Sequence, residues 1–244
     1  MSLLRCNILL GVAFFYFLAA QSINNPSYAK TNNEISIIEA ESYHGVEVID
    51  AQDGEEWSAF TVEDGKTLVK NVRISVKTIF DEVTDNEGDS PTGKYISSSP
   101  KYNNILFMVK GIKLKDGRIP TYHTVNSPIK GGDRLTVKGD KSSIELIEKN
   151  DINTKTYDGR DVNNGYQLTL KINDKEIKLS EVMLLDDNYP KLIWSGDINN
   201  DGYPDLVIDT SYHYNMERIT LFLSRNKNGK INYKKVAEHT SYGC

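Results

Sequence analysis

The chain has 244 residues, 39% of them apolar and 26% charged, with a formal net charge of -5. This is globular composition, which excludes a disordered tail or a coiled coil, and the length allows one large β domain or two small ones. A mildly acidic chain with no basic stripe offers nothing to phosphate backbones, so nucleic acid is excluded as a partner.

At the N-terminus, Arg5 supplies a positive start and residues 8–20 (ILLGVAFFYFLAA) form one apolar run, followed by small residues. This reads as a signal peptide cleaved after Ala20, Ser22 or Ala29, the last fitting the small-x-small rule at Ser27-Tyr28-Ala29. The run is shorter than the ~20 apolar residues of a spanning helix. The mature protein is therefore expected to be secreted or periplasmic, with no stable membrane span after cleavage. Cys6 precedes the apolar run and does not read as a lipid-attachment cysteine. Cleavage leaves Cys244 as the one cysteine, so it either packs as a small apolar residue or pairs with another molecule. A monomer is the expectation.

Residues 24–34, polar and Asn-rich, read as a tether. Residues 35–50 carry weak periodicity, fitting an edge strand or a short helix. From Trp57 onward strand signals dominate. Within 68–80, Val72, Ile74 and Val76 alternate with Arg73, Ser75 and Lys77, the period of a half-buried strand. Residues 81–89 (DEVTDNEGD) form an acidic loop. Residues 105–114 are another strand run, and 135–137 with 144–147 read as a hairpin around Gly139-Asp140. Residues 166–172 and 176–179 flank Asn173-Asp174-Lys175, a second hairpin. Further strands are read at 182–185, 192–194, 206–208, 219–223 and 231–236. No long capped amphipathic helix is found. The expected fold is mainly β: an antiparallel, strand-rich exported domain, sandwich-like or irregular. The expected organisation is a signal peptide at 1–29, a polar segment at 30–55, and β-rich regions at 56–150 and 151–244. Residues 56–244 form one domain unless polar, turn-rich 151–164 divides them.

One segment carries chemistry: residues 192–208, LIWSGDINNDGYPDLVI. Asp197, Asn199 and Asp201 place oxygens at the first, third and fifth positions. Gly202 permits a sharp reversal, Tyr203 offers its carbonyl, and Asp205 adds a carboxylate. Such a set suits a hard cation, calcium before magnesium, and the absence of Cys or His at ligand spacing excludes zinc. The twelfth position is Ile208 rather than Glu, and the flanks look like strands, so this is not an EF-hand.

The loop resembles the calcium loop of FG-GAP (VCBS-type, integrin α-like) repeats, as a single copy at about residues 192–223. There, two strands flank Asp-x-Asp-x-Asp-Gly-x-x-Asp; Gly196 before it and Leu206-Val207-Ile208 after it extend the match. The resemblance implies Asp197, Asn199, Asp201, Tyr203 through its carbonyl, and Asp205 as calcium ligands. One copy cannot close a propeller, which needs about four or more blades, so a full propeller is not expected.

Residues 209–217, with Asp209, Tyr212, His213, Tyr214, Asn215 and Glu217, read as a loop beside the calcium site. It is either a ligand surface or a solvated connection. Asp85, Glu87 and Asp89 read as a solvated loop or a second weak cation site. No hydrolase, metalloprotease or phosphate-loop motif is present. The favoured expectation is a non-catalytic exported binding or interaction protein with an extracellular or periplasmic ligand, protein or glycan. The alternative is a secreted calcium-dependent hydrolase, in which Asp205 or Asp209 would work with His213.

The leader yields a direct test. N-terminal sequencing of protein from the native host should find a mature start between Gln21 and Lys30, and an intact Met1 or Ser2 start in the membrane fraction would contradict it.

Overall fold

Among the described residues seventeen strands run from Ser36 to Tyr242, the longer ones rich in β-branched and aromatic residues. The structure is a computed structural model. It describes residues 34–124, 126–155, 161–183 and 188–243, with backbone alone at 150–155 and 161–164. Residues 1–29, read from the sequence as a signal peptide, Cys6, Cys244 and nearly all of the 24–34 segment read as a tether lie outside the described residues.

The first seven strands make one antiparallel sheet: β1 (Ser36–Ile38), β2 (Ser42–Tyr43), β3 (Glu56–Glu63), β4 (Lys66–Ile79), β5 (Gly93–Ser99), β6 (Ile105–Lys110) and β7 (Gly117–Arg118). Their order is β1-β6-β3-β4-β5-β2, with β7 also on β4. The 35–50 segment holds both elements weighed for it: two short strands, then a 3-10 turn at Gly45–Glu47. β6 stops at Lys110 rather than running on to residue 114, because Gly111 takes φ +89, and a Cβ there would stand 2.7 Å from the Glu34 carbonyl.

β8 (Thr121–His123) and β9 (Ser127–Pro128) leave this sheet for the third one. A second sheet follows in chain order: β10 (Arg134–Lys138), β11 (Ser143–Lys155), β12 (Asp161–Ile172) and β13 (Lys175–Val182). Residues 151–155 and 161–164 thus contribute backbone to β11 and β12, which pair from Ile144 opposite Ile172 out to Lys155 opposite Asp161. The third sheet holds β14 (Lys191–Gly196), β15 (Asp205–Asp209), β16 (Met216–Lys227) and β17 (Lys230–Tyr242) in the order β17-β16-β15-β14-β8, with β9 also on β14. Backbone contacts gather Asn32–Cys244 into one unit. The fold is mainly β and antiparallel, three sheets that do not close into a propeller. Among the described residues no helix is long and apolar enough to cross a membrane.

The third sheet lies between two cores. Leu192, Leu206, Ile208 and Phe222 pack against Ile144, Leu146, Leu168 and Leu170 of the second sheet. Trp194, Val207, Leu221 and Leu223 pack against Phe60, Val69, Phe107 and Val109 of the first. Burial on both faces explains why all five residues of β15 are buried, and why its sequence is an apolar run rather than an alternation. Trp194 is the keystone of one core: its ring meets Phe60 at 5.4 Å and Phe107 at 5.8 Å, and its Nε1 donates to Thr67 Oγ1 at 3.1 Å. Such ring pairs contribute about 0.5–1.5 kcal/mol each beyond area burial. A third core on the outer face of the first sheet gathers Trp57, Val72, Ile74, Ile96 and Met108 under Tyr43 and Ala51.

One polar group stands out. Glu148 on β11 is 1% exposed, and neither carboxylate oxygen has a hydrogen-bond partner among the described residues. Burial, with Asp133 adding to it, pushes its pKa up to about 7. Because the folded value lies above the unfolded one, the neutral acid favours the fold. That contribution is complete below about pH 4.5 and is lost as pH rises through about 7. Glu148→Gln should therefore flatten the fall in stability between these pH values and leave the domain more stable than wild type at pH 8, as read by denaturant melts across pH.

Candidate metal-binding loop

The loop joins β14 to β15, so the flanks are strands, as the sequence suggested. A β-bulge at Ile193 sets its phase: Leu192 faces Ile208, but Trp194 faces Val207. Past the bulge, Ser195 lies opposite Leu206 and Gly196 opposite Asp205. Gly196 is required for space, since a Cβ there would stand 2.2 Å from the Pro120 carbonyl and 2.3 Å from the Trp194 ring. The Asp197 N–H donates to that same carbonyl at 3.0 Å. Ile198, 2% exposed, then drives its side chain into the Trp194 core and pins the loop to it.

The reversal follows. Asn200 (φ +58) and Gly202 (φ +83) take left-handed backbone, which Asn and Gly tolerate best. The Asp201 N–H donates both to Asp197 Oδ1 and to Asn199 Oδ1, each at 3.0 Å, so oxygens of the first and third positions converge on one hydrogen. Asp197 Oδ2 accepts from the Gly202 N–H at 2.8 Å. Asp201 Oδ1 accepts from the Tyr203 N–H and from Ser224 Oγ, both at 2.9 Å. Three carboxylates gathered in one loop repel one another unless their charges are answered; in the structure each is met by N–H or O–H donors. They do not close up as tightly as Glu39, Glu41 and Glu217, the one group among the described residues with three acidic ligand atoms within 4.8 Å of one another.

Asp205 differs from the others. It is fully buried, and its carboxylate accepts four hydrogen bonds. Oδ2 takes the N–H of Ile198 at 2.7 Å and of Asn199 at 3.3 Å. Oδ1 takes the Ser224 N–H at 2.7 Å and Ser224 Oγ at 2.9 Å. Burial still pushes its pKa up to about 7 against those donors. Burial likewise raises Asp197, opposed by the amides of Gly202 and Asp201. Asp197, Asn199 and Asp201, with the Tyr203 carbonyl between Asp201 and Asp205, form a set of oxygens that a hard cation could share. Asp205 could join it only by releasing a hydrogen bond it now makes.

Two residues that sequence reasoning missed complete the loop. Ser224 on β16 bridges Asp201, Asp205 and Asn199, whose Nδ2 donates to the Ser224 carbonyl at 2.7 Å. Lys141, in the β10–β11 turn, donates from its backbone N–H to the Gly202 carbonyl at 3.0 Å and from Nζ to the Asp201 carbonyl. Its stem covers Gly202, and Nζ stands 5.6 Å from the Tyr203 ring centroid. Neither residue is near the loop in sequence, and neither type signals a metal site.

The other sequence candidates are placed as follows. Asp209 accepts from the N–H and Oγ of Ser211 and pairs with Lys191 at 3.2 Å. His213 Nδ1 accepts from the Asn215 N–H, and its ring lies 4.4 Å from that of Tyr214. Asp85 is used locally, accepting from Thr92 and from the Asp81 N–H. Compared with protein-family models, curated proteins and solved structures, the chain matches none.

Ser224→Ala tests how the loop is held. It removes the hydroxyl shared by Asp201 and Asp205 and leaves the buried Asp205 one donor short. The expected cost is about 1–3 kcal/mol in a denaturant melt.

Proposed function

We propose that the chain is an exported, non-catalytic binding or interaction protein that carries one structural calcium ion in the 197–205 loop, of the FG-GAP type. The observation that carries this reading is the convergence of the Asp197 and Asn199 oxygens on the single N–H of Asp201, inside a strand–loop–strand frame. The carboxylate of the fifth position, Asp201, accepts from the Tyr203 N–H and from Ser224 Oγ beside them. The cation would be held by the side chains of Asp197, Asn199 and Asp201 and by the carbonyl of Tyr203, with Asp205 as the anchoring carboxylate and, on releasing one hydrogen bond, the fifth ligand. Its role would be to add charge balance and stiffness to a loop joined to the second sheet through Lys141 and to β16 through Ser224. Outside the cell, calcium is abundant enough to load even a site of Kd ~0.1–1 mM.

The test is thermal. Saturating calcium at ~100 Kd stabilises a fold by about 2.7 kcal/mol, and ~1 kcal/mol is worth about 2–4 °C at this size. Wild type should melt several degrees higher in calcium than in chelator. Asp201→Ala removes one ligand oxygen pair and one charge and should lose most of that difference. A wild type indifferent to calcium, or a mutant with the full shift, would show that the loop is only a turn.

A further inference from the structure

Away from the 197–205 loop, a cleft of about 560 Å³ opens between the β2 end of the first sheet and the β16–β17 end of the third. Its lining combines two features. Among the described lining residues five are carboxylates, including Glu41 and Glu217, and none is Lys or Arg. Aromatic rings stand beside them: Tyr43 buried in the wall, and Phe80, Tyr214 and Tyr242 exposed at 46%, 71% and 54%. Val46 and Val83, on the two turns that border the cleft, are exposed at 84% and 57%. An exposed apolar rim of this size around a polar floor marks a contact surface rather than the ordinary scatter of apolar residues.

The floor is electrostatically unfinished. Asp81 is answered internally by His44, 2.6 Å away, and Glu47 accepts from the His44 and Tyr242 N–H groups. Glu41 and Glu217, with Glu39 behind them, bring their carboxylate oxygens within 4.8 Å of one another, and no ion pair among the described residues includes any of the three. Like charges held this close cost stability unless a cation joins them.

We propose that this cleft binds a basic peptide segment of a partner protein, seating an arginine or lysine head between Glu41 and Glu217 with its stem along the exposed rings. Carboxylates answer the charge, the aromatic faces attract the cation and cover the stem, and the apolar rim takes the flanking residues. The state of Glu39 supports this. Burial first, then Glu41, Glu217 and Asp209, push its pKa up to about 8, with Lys191 opposing and Tyr43 alongside. A cation arriving beside it would release its proton.

The probe is a capped tri-arginine peptide, titrated calorimetrically into the full chain at low salt and in chelator, with capped tri-glutamate as control. The chelator separates this site from the 197–205 loop, so either proposal can fail alone. Tri-arginine should bind, weaken with salt, and release a proton at pH 7 when compared in two buffers of different ionisation heat. Glu41→Gln/Glu217→Gln should weaken binding about tenfold, the loss of one half-buried and one exposed charge contact. The same variant should melt no lower than wild type, because it relieves repulsion, which separates lost binding from lost folding. Tyr214→Ala should also weaken it. Equal affinity in the double variant, equal binding of tri-glutamate, or binding only after a divalent cation is added would overturn the proposal.

Discussion

A sheet buried on both faces leaves no water for its polar atoms, and the third sheet is such a sheet. β15 alternates Leu206 and Ile208 into one core with Val207 into the other, yet it begins with a carboxylate at 0% exposure. Each oxygen of Asp205 must be met inside the protein, because an unmet buried polar group costs about 1–3 kcal/mol and a charged one more. The four donors that meet it are the amides of Ile198 and Asn199 and the amide and hydroxyl of Ser224. Satisfying one buried acid therefore fixes the start of the loop and docks it to β16. Ser195 closes the remaining gap by donating to the Asp205 carbonyl at 2.8 Å.

The same two-sided burial makes phase critical. A one-residue slip in a strand turns its side chains to the opposite face. β14 makes that switch once, at the Ile193 bulge, and the switch sends Trp194 towards Phe60 and Phe107 while Leu192 stays with the second sheet. The bulge also brings Gly196 to the point where the Pro120 carbonyl, just before β8, accepts from the Asp197 amide. The geometry of the loop is thus an outcome of core packing on either side of it.

How far the sequence displayed this varied with the range of the interaction. The apolar run Leu206–Ile208, the alternation in β4 and the hairpin at Asn173-Asp174 are local patterns, and the strands lie where those patterns put them. β5, Gly93–Ser99, was not legible because it is mostly polar, with Ile96 alone carrying apolar weight into the outer core. The outer parts of β11 and β12 read as turn-rich for the same reason: backbone pairing with the partner arm orders polar residues there. In the loop, the oxygen spacing was legible, whereas the donors that answer it were not. Ser224 and Lys141 reach it from other strands, and a serine or lysine has no spacing rule that would reveal it. The cluster of Glu39, Glu41 and Glu217 was hidden by distance: two lie in a segment of weak periodicity, and the third arrives on β16 from far along the chain.

The protein donors also bear on how strongly such a loop could hold a cation. Affinity in oxygen sites rises with ligand charge and falls when ligands must be pulled from other partners. Here Asn199 contributes an amide instead of a carboxylate, and Asp205 is committed to four donors. Lys141 Nζ adds a positive charge at the Asp201 carbonyl. Asp197 and Asp201 are left as the carboxylates with acceptor capacity to spare. Two carboxylates, an amide and a carbonyl beside an ammonium would bind calcium at the weak end of the range, near the ~0.1–1 mM suited to extracellular calcium. The loop would keep its shape without the ion, because the hydrogen bonds from Ile198, Asp201, Gly202 and Ser224 already close it. Calcium would then act on stability more than on structure, tightening the link that Lys141 and Ser224 make between the loop and the two elements packed against it.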